Sequence, residues 1–217
     1  MYNIIAIDGP SGSGKGTISK EVAKRLNYTY IDTGAMYRCV ALRSLEENLE
    51  VTDEDKIVNL LKSMDIELTN DGKVFLDGRD VSGTIREMDV TARVSKISSI
   101  IPLRLVMEEK QREMAKKSNI VMEGRDITTV IFPDAKYKFY IDCSLEERAR
   151  RRLEQNKEKG IESTYEEVYN NLKDRDYDDM NRPLGALKRT EDQHYIDNGK
   201  NTKEESVNEI LKIVGEE

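Results

Sequence analysis

Near its start the chain reads Ile4-Ile5-Ala6-Ile7-Asp8-Gly9-Pro10-Ser11-Gly12-Ser13-Gly14-Lys15-Gly16-Thr17. The first residues form a short apolar, mostly β-branched run, which is typical of a buried strand. A turn rich in glycine follows, and from Ile18 to Leu26 the apolar residues recur at helical spacing. A strand, a glycine-rich turn and a helix in this order form the setting of a phosphate-binding loop, or P-loop. The stretch therefore predicts an α/β fold with an anion site where the strand meets the helix.

The glycines and the lysine explain how this loop would hold phosphate. Glycine accepts positive φ angles, so the backbone N–H groups can close around an anion, and the helix N-terminus adds the positive end of its dipole. Lys15 adds a point charge toward the outer phosphates. The predicted contacts are Gly9, Pro10, Ser11, Gly12, Ser13, Gly14, Lys15, Gly16 and Thr17. The alternative is a glycine-rich turn that binds nothing.

Position 16 departs from the general loop pattern, which has Ser or Thr after the lysine to hold the metal. Here Gly16 takes that place and Thr17 follows. The form Gly-x-x-Gly-x-Gly-Lys-Gly-Thr resembles that of the nucleoside monophosphate kinases. This resemblance implies a Mg²⁺ ion held mainly by phosphates and water near Thr17, with no direct protein ligand.

The composition narrows the classes of function. The 217 residues are enough for one α/β core with a small inserted subdomain, and 35% of them are charged. A formal net charge of -7 argues against general binding to nucleic acid or to an anionic membrane, so a basic site must be local and suited to a small phosphorylated ligand. No apolar run approaches the ~20 residues of a membrane span, and we expect no signal peptide.

The cysteines and the histidine narrow the chemistry further. Cys39 and Cys143 lie far apart without CxxC spacing, so we expect two buried free thiols and a cytoplasmic protein. His194 is the single histidine, which excludes a multi-histidine metal site. It also argues against nucleophilic catalysis that depends on histidine.

Strands and helices are predicted to alternate along the rest of the chain. The predicted strands are 28–31, 119–122, 137–142 and 194–197, and the predicted helices are 35–45, 53–63, about 86–99, about 102–117, 165–177 and 203–213. Thr33 or Asp32 is expected to cap the first of these helices, and Thr52 the second. Asn70-Asp71-Gly72 instead marks a hairpin, which with residues 79–81 predicts a small antiparallel sheet inserted at about 64–85.

Polar side chains stand where two of the predicted strands end. Arg38 lies one turn inside the helix after the second strand, and Glu123-Gly124-Arg125-Asp126 follows the strand 119–122. Open α/β sheets bind ligands at the carboxyl ends of their strands, so these side chains are candidates for a site. The alternatives are a surface arginine at position 38 and an ordinary polar loop after the strand.

A basic helix is predicted after the strand 137–142. Ser144 and Glu147 have the spacing of a capping box, and Arg148, Arg151 and Arg152 share one helix face. The arginines form either a cluster that closes over polyphosphate or a solvated basic face, and spacing alone does not decide. The polar segment 155–163 follows, and we predict a mobile helical lid at about 148–165.

Taken together, these blocks resemble the bacterial cytidylate kinases along nearly the whole chain. The matching blocks are Ile-Asp-Gly-Pro-Ser-Gly-Ser-Gly-Lys-Gly-Thr at 7–17, Asp-Thr-Gly-Ala-Met-Tyr-Arg at 32–38, Asp-Val-Ser-Gly-x-Ile-Arg at 80–86, Glu-Gly-Arg-Asp at 123–126, Phe-Pro-Asp-Ala at 132–135, Ser-x-Glu-Glu-Arg-Ala-x-Arg-Arg at 144–152 and Arg-Asp-x-x-Asp-x-Asn-Arg at 175–182. The loop is shared by many kinases, whereas the second and fourth blocks, with the β insertion between them, are more specific. Glu123 stands where the family more often has Asp, and residues 184–202 diverge from its usual pattern.

The resemblance implies a role for each matching position. The acceptor side would use Arg38, Arg125 and Arg182 for the α-phosphate, Ser95, Arg104 and Asp126 for the cytosine edge, Arg175 and Asp179 for the ribose, and Thr33 and Tyr37 as pocket lining. Arg148 would serve ATP together with the phosphate-binding loop. Lys15, Arg125, Arg182 and Arg151 would act in the transfer step. The resemblance gives no metal role to Glu123.

The chemistry agrees with this resemblance. Transfer between two phosphates requires positioning and charge neutralisation, and a monophosphate is largely ionised at pH 7, so no general base is needed. We therefore expect one domain over residues 1–217: a P-loop kinase with a five-stranded parallel sheet flanked by helices, a small antiparallel β insertion and a helical lid. It would act as a monomer that phosphorylates CMP or dCMP with Mg²⁺ and ATP. The alternatives are a kinase for another small molecule such as UMP, AMP or shikimate, and a non-catalytic nucleotide sensor.

Overall fold

The fold is described from a computed structural model for residues 2–158 and 160–215. Its strands are β1 (Ile4–Asp8), β2 (Thr29–Asp32), β3 (Ile66–Leu68), β4 (Val74–Leu76), β5 (Arg79–Asp80), β6 (Ile120–Gly124), β7 (Tyr137–Asp142) and β8 (His194–Asp197). Its helices are α1 (Lys15–Leu26), α2 (Thr33–Glu46), α3 (Glu54–Ser63), α4 (Met88–Ile97), α5 (Ile101–Met114), α6 (Leu145–Glu158), α7 (Tyr165–Asn181) and α8 (Lys203–Gly215). A 3₁₀ turn covers Thr84–Arg86, and a π-helical turn covers Ile127–Ile131.

Five parallel strands form the main sheet, in the order β2-β6-β1-β7-β8. The predicted five-stranded parallel sheet is therefore confirmed. The register sets Asp8 opposite Gly124 and Asp32 opposite Glu123, so the carboxyl ends of β1, β2 and β6 meet at one edge. Helices flank the sheet because its apolar strand residues point to both faces and are buried there in two hydrophobic clusters. This edge is where the polar residues predicted from the strand ends come together.

The small antiparallel sheet is confirmed as β3-β4-β5. Its buried side chains, among them Ile66, Val74 and Leu76, belong to the same hydrophobic cluster as α2, α3 and α5. Its hairpin tip reaches back to the main sheet, where Asn70 accepts a hydrogen bond of 3.0 Å from the Tyr30 N–H and Lys20 donates to the Asp71 carbonyl. The insertion therefore shares the main core and lies against α1.

Helices α6 and α7 pack against each other through a hydrophobic cluster of their own. Ala149, Val168 and Leu172 form its buried centre, and it is separate from the clusters on the two faces of the sheet. The segment predicted as a lid, 148–165, comprises most of α6, the connection to α7 and the first residue of α7; within it, Lys159 lies outside the described residues.

Helix ends differ in detail from the predictions. Asp32 caps α2 by accepting from the Ala35 N–H at 2.9 Å, but the predicted Thr52 cap of α3 is wrong, since Asp53 stands at that N-cap. Ser144 accepts from the Glu147 N–H, while the Glu147 carboxylate pairs with arginines of its own helix. The predicted helix 86–99 is a 3₁₀ turn followed by the shorter α4. No helix of the described residues is long and apolar enough to cross a membrane.

Candidate active site

The phosphate-binding loop curls between β1 and α1, and its geometry depends on Gly14. This residue is the N-cap of α1 with φ of +89°, and a Cβ there would overlap the Asn198 amide. Glycine is therefore required both for the left-handed backbone and for the close approach. The first N–H groups of α1 have no acceptor within their own helix, so they are available to an anion.

Lys15 lies buried beneath the loop. Its Nζ donates to the Pro10 carbonyl at 3.1 Å and lies 3.7 Å from the Glu123 carboxylate. Burial, with the nearby positive charge of Arg125, lowers the pKa of Lys15 to about 8. The positive charge of Lys15 is thus held in a fixed position beside the loop, where it can pair with a phosphate.

Glu123 explains the unusual glycine at position 16. A Cβ at Gly16 would lie 3.0 Å from Glu123 Oε1 and 3.4 Å from the Tyr30 hydroxyl, which itself donates to that carboxylate at 3.3 Å. The space of the usual Ser or Thr side chain is therefore occupied by a carboxylate from β6. Burial raises the pKa of Glu123, and the neighbouring Lys15 opposes that shift.

A large cavity of about 410 Å³ opens in front of the loop. Its charged lining is mostly positive: Lys15, Lys20, Arg38, Lys73, Arg86, Arg125, Arg152 and Arg175, against Asp32 and Glu123. Burial and the charges of Arg125 and Arg38 lower the pKa of Arg175 to about 10. Eight cationic side chains against two carboxylates indicate a site for a polyanion.

A second cavity, of about 60 Å³, adjoins the first. All ten residues predicted for the acceptor line it: Thr33, Tyr37, Arg38, Ser95, Arg104, Arg125, Asp126, Arg175, Asp179 and Arg182. They come from α2, α4, α5, α7, the loop after β6 and the residue after α7. Arg38, Arg125 and Arg175 line both cavities, so these arginines stand where the two spaces meet.

The floor of the smaller cavity is a buried ion pair between Arg104 and Asp126. Arg104 is 1% exposed, donates to the Ser98 carbonyl at 3.0 Å and lies over the Tyr37 ring. Burial raises the pKa of Asp126, while Arg104 pulls it down. Gly185 covers the pair with φ of +65°, and a Cβ there would overlap both charged groups. The site thus offers a fixed carboxylate edge and a fixed guanidinium edge.

Asp179, which lies on helix α7, orients two arginines of the site. Its carboxylate accepts from Arg125 and from Arg182, each at 2.6 Å. Although burial alone would raise it, these cations hold the pKa of Asp179 below its ordinary value. Nearby, Ser95 donates to Asp178 at 2.8 Å and so ties α4 to α7 across the mouth of the cavity.

Comparison with known proteins assigns the chain to a family. The sequence model described as "Cytidylate kinase" matches residues 5–216. The chain belongs to the cytidylate kinase family. Among its relatives, a cytidylate kinase of Caldanaerobacter subterraneus is 47% identical over 97% of this chain and 93% of its own, and one of Fusobacterium nucleatum is 44% identical over 97% and 96%. A solved shikimate kinase of Acinetobacter baumannii aligns over 100% of this chain and 94% of its own, with 14% identity and a TM-score of 0.49.

The arginines of α6 are arranged differently from one another in this member of the family. Arg148 is buried and donates to the Ser11 carbonyl at 3.0 Å and to Asp176 at 2.6 Å. Arg151 donates to the Asn198 carbonyl at 2.9 Å, whereas Arg152 lines the large cavity. The predicted nucleotide roles of Arg148 and Arg151 stay predictions, and the arginine that faces the cavity is Arg152.

Asp8 joins the loop to the acceptor side. This buried carboxylate accepts from the N–H groups of Ile127 and Thr128, each at 2.9 Å, and from the Thr128 hydroxyl, which in turn accepts from Gln193. Burial raises the pKa of Asp8 to about 6. The bonds hold the π-helical turn directly after Asp126, and thereby the strand end that carries Arg125 and Asp126.

Five residues at the site were not named as site residues by the sequence analysis: Lys20, Lys73, Arg86, Gly185 and Asn198. Asp32 was named only as a helix cap, Glu123 as part of a strand-end candidate site and Arg152 as part of a basic helix face. Glu123 and Arg152 had a signal, since one ends a strand and the other shares a face with two predicted arginines. Lys73 of the hairpin and Asn198 had no signal in the sequence, because only the fold brings these residues to the loop.

Proposed function

We propose that the chain transfers the terminal phosphoryl group of ATP to CMP or dCMP, giving ADP and CDP or dCDP. The observation that carries this proposal is the set of three arginines, Arg38, Arg125 and Arg175, shared by the cavity at the phosphate-binding loop and the smaller polar cavity. A donor in one and an acceptor in the other would bring their phosphates together at these cations. The family assignment supports the same reaction.

The donor phosphates lie in the loop 9–17 in this proposal. The N–H groups of the loop and Lys15 hold them, and Arg148 keeps the loop in shape through the Ser11 carbonyl. Arg151 and Arg152 act from the lid, where their charge neutralises the transferred group. Reaction in line needs positioning above all, which buried arginines provide through their planar, bidentate fork.

The acceptor lies in the smaller cavity. Arg38, Arg125 and Arg182 hold its phosphate, Arg175 and Asp179 meet the ribose, and Thr33 and Tyr37 line the wall. Ser95, Arg104 and Asp126 read the base: a carboxylate at Asp126 accepts from the cytosine N4–H, whereas uracil would present O4 to it with no proton between. Unpaired buried polar groups of this kind are how a site rejects the wrong base.

Mg²⁺ is the metal that this phosphate site fits. Thr17 offers a hydroxyl oxygen to the large cavity, near which the ion would be held through phosphates and water with no direct protein ligand. Hard oxygen ligands shared with phosphates and water are what Mg²⁺ prefers. The ion would supply neutralisation of the negative charge on the donor phosphates.

The whole chain 1–217 acts as one kinase domain in this proposal. The smaller cavity of about 60 Å³ is too narrow for a nucleoside, so it must widen to admit the acceptor. The insertion at 64–85 and the lid at 148–165 then close over the bound nucleotides. The separate hydrophobic cluster of α6 and α7 supports movement of the lid as a unit. We further propose a cytoplasmic monomer that binds neither nucleic acid nor membrane.

The test is release of ADP with Mg²⁺-ATP and CMP, dCMP, UMP, AMP or GMP as separate acceptors. We expect turnover with CMP and dCMP and little with the others. Turnover with UMP or AMP alone would assign another acceptor to the site. Tight ATP binding without turnover on any acceptor would instead favour a nucleotide sensor, which the acceptor-side arginines argue against because a sensor needs only one nucleotide site.

A further inference from the structure

Asn198 lies in the turn after β8 and is 6% exposed. Its Nδ2 donates to the Ser13 carbonyl at 2.7 Å, and its Oδ1 accepts from the buried Ser206 hydroxyl of α8 at 3.1 Å. Its main-chain oxygen accepts from Arg151, and its main-chain N–H donates to the Asp142 carbonyl. Since a carbonyl can only accept, the amide nitrogen must face Ser13. The orientation of this side chain is therefore fixed from both ends.

The bond to Ser13 determines where the next N–H group points. The peptide bonds of the described residues are all trans, and in a trans peptide the C=O and the N–H point in opposite directions. With the Ser13 carbonyl held outward by Asn198, the Gly14 N–H is aimed to the inner side of the loop, toward the large cavity that Gly14 lines. Arg148 acts likewise on the Ser11 carbonyl, which aims the Gly12 N–H.

We propose that Asn198 is a positioning residue for the phosphate donor, because it sets the Ser13–Gly14 peptide so that the Gly14 N–H meets a phosphate oxygen. This inference rests on the proposed function, in which the loop holds the phosphates of ATP. Gly14 tolerates many backbone conformations, so this peptide has little resistance of its own to flipping. An external hydrogen bond is the means by which the loop keeps the binding orientation in the absence of ligand.

Four variants separate positioning from general stability. Asn198→Ala removes the donor, and Asn198→Asp keeps the size and the bond from Ser206 but presents an acceptor to the Ser13 carbonyl. Ser206→Ala keeps the donor and frees the amide to rotate. Asn201→Ala is the matched control, since that amide pairs with Glu209 on the surface.

The measurement is calorimetric binding of Mg²⁺-ATP and of Mg²⁺-tripolyphosphate, together with the KM for CMP. We expect Asn198→Ala to weaken both donor ligands about 5- to 10-fold, the worth of one hydrogen bond. Asn198→Asp should weaken them at least as much and Ser206→Ala about 3-fold, while the KM for CMP and all values of Asn201→Ala stay within roughly 2-fold. Tripolyphosphate is included because it has no base.

Each contrary outcome has a distinct meaning. A native protein that binds neither donor ligand overturns the proposed function and this inference together, whereas native binding with an unchanged Asn198→Ala variant overturns the inference alone. Loss for ATP but not for tripolyphosphate would place Asn198 at the base, and equal losses for ATP and CMP that follow the melting temperature would make it merely structural. If both Asn198 variants fail to fold, the Ser206→Ala variant provides the test. An unchanged NMR resonance of the Gly14 amide together with unchanged tripolyphosphate binding would then refute the inference.

Discussion

Replacing Asp126 with asparagine should remove most of the preference for CMP over UMP without changing the shape of the base pocket. Asp126 is 7% exposed, and its carboxylate is paired with Arg104 beneath Gly185. The substitution exchanges one oxygen for an NH₂ group of similar size. The base then meets a side chain that can donate as well as accept, so uracil O4 no longer faces an acceptor alone.

The size of the effect follows from the bond that is lost. A hydrogen bond to a charged group is worth roughly 1.5–3 kcal/mol, which corresponds to a fall of about 10- to 150-fold in kcat/KM for CMP. The rate with UMP should hold or rise, so the ratio of the two falls by at least ~10-fold. The asparagine oxygen still accepts from Arg104, so most of the ~3–5 kcal/mol cost of an unpaired buried charge is avoided.

The assay compares kcat/KM for CMP and UMP in the native protein and the variant, with the melting temperature recorded for each. Asp55→Asn is the control, because this carboxylate is exposed in the first turn of α3. Asp126→Ala should retain less stability than Asp126→Asn, since it leaves the guanidinium of Arg104 without its carboxylate. A folded Asp126→Asn variant with the native base preference would refute the assignment of Asp126 to the base.

Three further predictions concern Gly185 above the buried ion pair, Arg182 of the smaller cavity and the buried Lys15. Gly185→Ala should raise the KM for CMP and cost roughly 1–3 kcal/mol of unfolding free energy, because a Cβ overlaps the buried ion pair at a positive φ, whereas Gly83→Ala, with open space around it, should be neutral in both assays. Arg182→Ala should lower kcat roughly 10²-fold at an almost unchanged melting temperature, and an unaltered kcat would exclude Arg182 from the transfer step. The pKa of Lys15 is about 8 in the free protein, so its charged form prevails below that pH, and ATP affinity should be flat there and fall about tenfold per unit above it. Calorimetric titrations from pH 6.5 to 9.5 test this, and a Lys15→Arg variant that keeps the same pH profile would contradict it.

The sequence predicted most of what local pattern can encode. The five parallel strands and the hairpin at Asn70-Asp71-Gly72 follow from hydrophobic spacing and turn residues, and all are present. The acceptor set depended on the resemblance to a family, because Ser95 and Arg104 are ordinary helical residues when considered alone. Their meeting with Asp126 around one cavity depends on packing between α4, α5 and the main sheet.

What sequence analysis could not supply are contacts between distant backbone groups. Asn198 reaches Ser13 across 185 positions, and Arg148 reaches Ser11 across 137, in each case through a carbonyl that any residue type would provide. The direction of the α6 arginines was equally inaccessible, since helical spacing places Arg148, Arg151 and Arg152 on one side but does not say which neighbour each one meets. The Thr52 cap failed for a simpler reason, because the adjacent Asp53 competes for the same position.

The arginines that line the two cavities have a consequence for the stability of the protein. Burial and mutual repulsion lower the pKa of Arg38, Arg175 and Arg182, so holding these charges close together costs free energy in the folded state. An anion that binds only the folded chain reduces this cost and adds stability in proportion to the logarithm of its concentration. Nucleotide bound at these arginines would therefore raise the resistance of the protein to heat and proteolysis, and the gain would grow with nucleotide concentration.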